Sequence, residues 1–265
     1  MSTAHPSRRQ ARWLTVVETA SPVLLLVAWW FGSAGSQDPF FPPLQAILAE
    51  FQRLWLFDHF ASDVLPSVGN LLLAYLISCV LGIGLGTALG LFRGLSLALD
   101  PVIQFLRSIP AVALLPILVA LAGFGNEVRI LSIVLAATFP VLIATVDGVR
   151  STDTLLLEGA RVYRLSRWER VSRIYLPSAG PQIFSGAQVS LQVAFIVMIT
   201  SEMLGAAQGI GALTLLAQKS FDVKGMWAGI LLLGVLGYLV NLLFTLVRRR
   251  ALSWHYGAQG TASLD

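Results

Sequence analysis

The sequence predicts an all-α polytopic membrane protein: six spanning helices, with a polar two-helix loop between the fourth and the fifth. Three observations predict it. Hydrophobic residues make up 56% of the 265, charged residues only 12%, and the mean hydropathy is +0.76. Soluble domains carry about 25% charged residues, so composition excludes a soluble core. The apolar residues fall in runs close to the roughly 20 residues that a helix needs to cross a bilayer. The basic residues crowd into alternate connections between those runs, which is the positive-inside pattern rather than a nucleic-acid surface.

Residues 1–12 are polar and hold Arg8, Arg9 and Arg12. The first span, 14–31, is bracketed by Trp13 and by Trp29 and Trp30, residues suited to the two interfaces. A cleaved signal peptide is the competing reading, from the basic start, the apolar stretch and the small residues Ser33, Ala34 and Gly35. Both readings leave residue 32 outside. In the outer segment 32–65, Leu44, Ile47, Leu48, Phe51, Leu54 and Trp55 recur at helical spacing. That stripe fits a short helix lying in the outer interface or packed on top of the bundle.

The second span, 67–92, carries Gly82, Gly86 and Gly90 on one face, four residues apart. Small residues at that spacing let helices approach closely. Helix packing is favoured over a nucleotide loop, because the glycines lack the Lys-Ser/Thr of a P-loop and sit in an apolar run. The third span, 101–122, is interrupted by Pro110 and Pro116, a disruption tolerated where a segment lines a cavity or is buried in protein. Arg107 and Ser108 precede the first proline. Two readings of Arg107 fit: it faces a translocation path and favours an anion, or it snorkels to headgroups. A turn at 123–127 leads to the fourth span, 130–146, which returns inside at Asp147 to Arg150.

The loop 150–177 holds Arg161, Arg164, Arg167, Arg170 and Arg173. Its first helix is expected from about Thr154 to Tyr163, capped by Ser151 or Asp153. Ser166 and Glu169 form a capping box for a second, and Pro177 is expected to end it. The fifth span, 182–204, is unusually polar, with Gln188, Gln192, Thr200, Ser201 and Glu202 as candidates for a pathway. Glu202 near its end is either a functional acid or a hydrogen-bonded cap. An outer segment, 205–224, leads to the sixth span, 226–247, ended by Arg248, Arg249 and Arg250. Of 18 Lys and Arg, 13 fall inside and four outside, with Arg107 unassigned, which puts both termini and the polar loop in the cytoplasm. The segments divide as 1–66 (first span and interfacial helix), 67–250 (core) and 251–265 (polar tail). His5, His59 and His255 are far apart and Cys79 is alone, so neither a metal site nor an internal disulfide is expected.

Glu158-Gly159-Ala160, followed by Ile174-Tyr175-Leu176-Pro177, resembles the EAA signature of the membrane subunits of binding-protein-dependent ABC importers. The resemblance covers about 67–250 and implies the type I importer permease fold. It implies that Glu158, Gly159, Ala160, Arg161, Arg164, Ile174, Leu176 and Pro177 belong to a cytoplasmic coupling loop gripped by an ATPase subunit. It also implies a bacterial inner membrane location, a second permease copy, a cytoplasmic ATPase dimer and an external solute-binding protein. ATP and Mg would sit on the ATPase, with no cofactor in this chain. Two positions depart from the pattern. Gly159 stands where Ala is usual, and Arg164 stands where Gly makes the turn. A side chain in the left-handed conformation costs roughly 1–2 kcal/mol, so either the turn has another shape or Arg164 gains an offsetting contact. Arg107-Ser108-Ile109-Pro110 and Ala113-Leu114-Leu115-Pro116 are most similar to the sulfonate, taurine and nitrate branch, which also handles bicarbonate, aromatic carboxylates and vitamin precursors. An ion-gradient transporter is the alternative. It needs coupling-ion groups deep in the membrane, and only Arg107 and Glu202 qualify. A membrane enzyme needs a nucleophile with its base or a metal, and the spans supply no such set.

Overall fold

The computed structural model describes residues 8–123, 125–205 and 208–253, and every described element is helical. Helix α1 spans Arg8–Ser33 and α2 spans Leu44–Phe51, continued by π-helical turns over Gln52–Asp58 and Phe60–Val64. Then follow α3 (Leu65–Leu91), α4 (Arg93–Ser108), α5 (Ala111–Ala122) and α6 (Asn126–Arg150). The polar loop forms α7 (Thr154–Val162) and α8 (Arg167–Arg170), and a π-helical turn, Val171–Tyr175, leads into α9 (Leu176–Gly205). Last come α10 (Ile210–Lys219) and α11 (Val223–Ala251). The ends of the chain beyond residues 8 and 253, including most of the expected tail, lie outside the described residues, as does Phe124.

Among the described residues four unbroken helices are long and apolar enough to cross a membrane, or five spans if the bent pair α4 and α5 counts as one; α1 supplies a shorter apolar stretch, Val23–Ser33. That is fewer than the six expected. The third span differs most from expectation. It is two helices meeting at 89°, and the break lies at Ile109 and Pro110 alone. Ile109 is extended, as the residue before a proline prefers, whereas Pro116 sits inside α5 without ending it.

The core is the three-helix seam of α3, α6 and α9, with Leu71, Ala74, Ile133, Ala137, Ala194 and Val197 buried in it. Glycines on α3 make the seam close. A Cβ on Gly82 would stand 2.7 Å from the Val141 Cβ, and one on Gly86 would stand 2.6 Å from the Leu142 carbonyl oxygen. Gly90 meets Val149 at a similar separation. On α9, Gly186 lies against the Pro140 carbonyl and Ala144. Hydrogen bonds cross the seam: the Tyr75 hydroxyl donates to the Ala187 carbonyl at 3.0 Å and Ser190 donates to the Ala137 carbonyl at 2.6 Å. The stripe of α2 packs on the bundle. Leu44 and Ile47 are buried, and Trp55 joins Val64, Ile210, Ala228 and Leu232 in a second apolar cluster.

Pro177 does not end a helix. Residues 167–205 form one continuous helix of 39 residues, with Pro177 at its second α-helical position after the π turn. A proline ring in a regular helix collides with the carbonyl four residues back; the wider π turn over Val171–Tyr175 makes room for it.

Candidate functional site

Three features stand out along the bundle. The first is the hairpin α7–α8, at the opposite end of α9 from Glu202. Asp153 caps α7, its carboxylate accepting the Leu155 N–H at 2.9 Å. Ser166 and Glu169 form the capping box of α8 with bonds of 3.2 and 3.0 Å. Arg164 has φ of +53°, so the turn keeps the left-handed shape that Gly usually serves. Among the described residues its side chain has no hydrogen-bond or ion-pair partner within the chain. Backbone bonds hold the turn instead. The Arg164 N–H donates to the Arg161 carbonyl and the Leu165 N–H donates to the Ala160 carbonyl, both at 3.0 Å. These are the paired bonds of a Schellman end, which satisfy carbonyls that α7 would otherwise leave free. Glu158 and Arg161 are exposed, Gly159 is half-buried, and Ala160 is buried. Ile174 and Leu176 are half-buried and Pro177 is exposed. Sequence reasoning missed the apolar surface beside them: Leu155, Val162, Tyr163 and Trp168 are each at least 71% exposed. Apolar side chains displayed together on a polar loop mark an interaction surface.

The second feature is a cavity of about 650 Å³ between the α4–α5 break, α6 and α9. Arg107, Pro110, Phe139, Asp147, Ser185 and Val189 are among its lining residues. Among the described residues the Arg107 side chain donates a hydrogen bond only to the Gln104 Oε1, at 3.4 Å, and no ion pair engages either Arg107 or Asp147. Ser108 bonds back to the Gln104 carbonyl. The α9 residues on this wall are Ser185, Gly186, Val189 and Val193, a different face from the expected Gln188 and Gln192. Gln188 instead donates to Asn241 at 3.2 Å and accepts from Arg248 at 2.8 Å, tying α9 to α11. Gln192 is exposed. Thr200 and Ser201 bond to carbonyls of their own helix.

The third feature surrounds Glu202, which is 2% exposed. Both of its carboxylate oxygens accept hydrogen bonds, Oε1 from the Ser67 hydroxyl and Oε2 from the Gly211 N–H at 2.9 Å. Beside it the Asp63 Oδ1 accepts the Gly209 N–H at 2.7 Å, and the Ile210 N–H points at the Ser67 Oγ at 3.4 Å. The first N–H groups of α10 have no partner within their own helix. Here Asp63, Ser67 and Glu202 take up three in succession, and two carboxylates at a helix N-terminus also favour its dipole. Gly209 adopts φ of +122°, and a Cβ there would lie 2.6 Å from the Glu202 carboxyl carbon. Among the described residues no group of His, Cys, Asp and Glu is arranged to hold a metal.

A family model described as binding-protein-dependent transport system inner membrane component matches residues 78–253. The putative aliphatic sulfonates transport permease protein SsuC of Bacillus subtilis (strain 168) is 29% identical over 257 residues, 96% of this chain and 92% of that one. The taurine transport system permease protein TauC of Escherichia coli (strain K12) is 29% identical, with 95% of each chain covered. The nitrate import permease protein NrtB of Leptolyngbya laminosa is 30% identical over 71% of this chain and 67% of its own. Among solved structures, a chain of the MetNI methionine ABC transporter, in an inward-facing conformation, matches with a TM-score of 0.60 and 20% identity, covering 71% of this chain and 94% of that one. The match extends from the middle of α3 to the end of α11 and so takes in the hairpin, the cavity and Glu202: the chain belongs to the family of binding-protein-dependent transport system inner membrane components, non-catalytic permease subunits of multi-pass architecture.

Proposed function

We propose that this chain is the permease of an ATP-driven importer that moves a small anionic solute, of the aliphatic sulfonate, taurine or nitrate class, into the cytoplasm by alternating access. Family membership makes it an importer permease that works with an ATPase and a binding protein. The solute class is supported by the names of the relatives SsuC, TauC and NrtB. In this reading α1 and the bent pair complete six spans, both termini face the cytoplasm, and residues 67–250 form the permease core. Two copies flank a central route, because one small bundle is too few helices to enclose a gated path.

The observation that carries the mechanism is the hairpin. Glu158, Arg161 and Arg164 are exposed at one end of the bundle beside Leu155, Val162, Tyr163 and Trp168. Such a surface offers charge for register and apolar area for affinity. The unbroken helix from Arg167 to Gly205 then makes α8 a rigid extension of α9, so a displacement at the hairpin reaches the α9 face of the cavity. ATP closes the ATPase dimer, the hairpins move with it, and the bundle shifts between two packings of similar energy. Glu158, Gly159, Ala160, Arg161, Arg164, Ile174, Leu176 and Pro177 form the coupling surface; Arg107, Ser108 and Pro110 lie at the entrance to the route.

The test is reconstitution of the permease with its ATPase and receptor in proteoliposomes. Glu158→Arg is expected to abolish ATP-driven uptake while leaving membrane insertion intact. Uptake that proceeds without ATP and follows an imposed ion gradient would establish the rival reading, a secondary transporter.

A further inference from the structure

We propose that the cavity between the α4–α5 break, α6 and α9 is a cargo site built for a short organic zwitterion, with Arg107 facing its anionic group and Asp147 its cationic group. The inference rests on the importer reading above and narrows its solute class. The cavity holds one full positive and one full negative charge on walls that are otherwise mostly apolar, among them Leu114, Phe139 and Val189. Neither charge is neutralised by the protein: among the described residues Arg107 has only the long contact to Gln104, and Asp147 accepts no side-chain hydrogen bond and joins no ion pair. Arg107 and Asp147 share the cavity yet do not pair with each other, so room remains between them. Both side chains are exposed on the cavity wall, open to a solute that enters it. A simple anion would satisfy Arg107 and be repelled by Asp147. A molecule carrying both signs on a short hydrocarbon link satisfies both and lays its link on the apolar wall. The cavity, at about 650 Å³, falls in the range of small-molecule sites.

The test uses the whole importer in proteoliposomes with the permease carrying Cys79→Ser and Ser185→Cys, the new thiol lying on the cavity wall. Its modification by a small uncharged thiol reagent is followed by mass spectrometry of the peptide containing residue 185. Three probes of matched size are added: taurine, ethanesulfonate and ethylamine. Taurine is expected to protect the thiol at a concentration at least about tenfold below either single-charge probe, since each loses one hydrogen-bonded charge contact. Asp147→Asn should bring taurine to the ethanesulfonate value, Arg107→Gln should bring it to the ethylamine value, and Asp147→Glu should restore protection. Equal protection by taurine and ethanesulfonate, no effect of Asp147→Asn, or no protection by any probe overturns the proposal. The importer reading has its own readout in the same samples. If the labelling rate at 185 differs between nucleotide-free and ATP-bound importer while taurine fails to protect, the route stands and the zwitterion site is wrong. If the rate ignores nucleotide, the route through this cavity fails as well.

Discussion

Removing the Glu202 carboxylate should release the start of α10 from the bundle. Glu202 is 2% exposed and both its oxygens accept, from Ser67 on α3 and from the Gly211 N–H. Hydrogen bonds to a charged group contribute about 1.5–3 kcal/mol each, so Glu202→Ala is expected to cost about 3–6 kcal/mol before any relaxation. Ser67→Ala removes one of the two bonds and should cost about 1.5–3 kcal/mol. Because both substitutions delete the same Ser67–Glu202 bond, the double variant should fall short of the sum by about 1–3 kcal/mol. Glu202→Gln keeps the volume and one acceptor, and should cost less than the alanine variant. Hydrogen exchange followed by mass spectrometry reads this directly. Each 1.4 kcal/mol lost is about tenfold faster exchange, so amides 209–213 should exchange at least about tenfold faster in Glu202→Ala, while those of α7 stay unchanged. Exchange unaltered at 209–213, or strictly additive costs in the double variant, would refute the clasp formed by Asp63, Ser67 and Glu202.

Arg164→Gly should stabilise the α7–α8 turn by about 1 kcal/mol, because it removes a side chain from a left-handed position at φ +53°; slower exchange in peptides spanning 160–166 is the readout, and faster exchange would mean that the arginine makes a stabilising contact. Gly86→Ala should cost about 1–3 kcal/mol by overpacking, since the new Cβ would stand 2.6 Å from the Leu142 carbonyl oxygen, whereas Gly84→Ala on the same helix meets nothing within 4 Å and should be neutral or stabilising by about 0.5–1 kcal/mol; denaturant titration in detergent compares the two. Gln188→Leu should cost about 1–3 kcal/mol, because the Arg248 guanidinium, whose Nε is already unpartnered, loses the Gln188 carbonyl; thermal unfolding of the purified subunit checks it.

The seam and the caps were legible because their signals are local. Apolar runs of spanning length, glycines at 82, 86 and 90, and the Ser166–Glu169 box each lie within one or two turns of chain, and hydrophobic burial or an unpaired N–H decides them on the spot. Proline was the unreliable signal. Among the described residues, prolines inside α4, α5, α6 and α9 end nothing, and only Pro110 coincides with a sharp break. A proline removes one helical bond wherever it stands. Whether the helix continues depends on what surrounds the freed carbonyl, such as a π turn before Pro177 or neighbouring helices around Pro140. That information is tertiary.

The site was less legible for the same reason, and Glu202 shows why. Its partners Ser67 and Gly211 lie 135 residues before it and nine after it, and Asp63 reaches Gly209 across 146 residues. In the sequence an acid near the end of a span reads either as function or as cap. The glycines at 209 and 211 are the one local hint, since only a residue without a Cβ lets backbone come within reach of a buried carboxylate. In the sequence Asp147 marks the end of a span, where a charge is ordinary. It becomes informative only once α6 and the α4–α5 break enclose it with Arg107 in one cavity. A lone charge at a helix end carries little information; two opposite charges that share a cavity without meeting constrain what can sit between them.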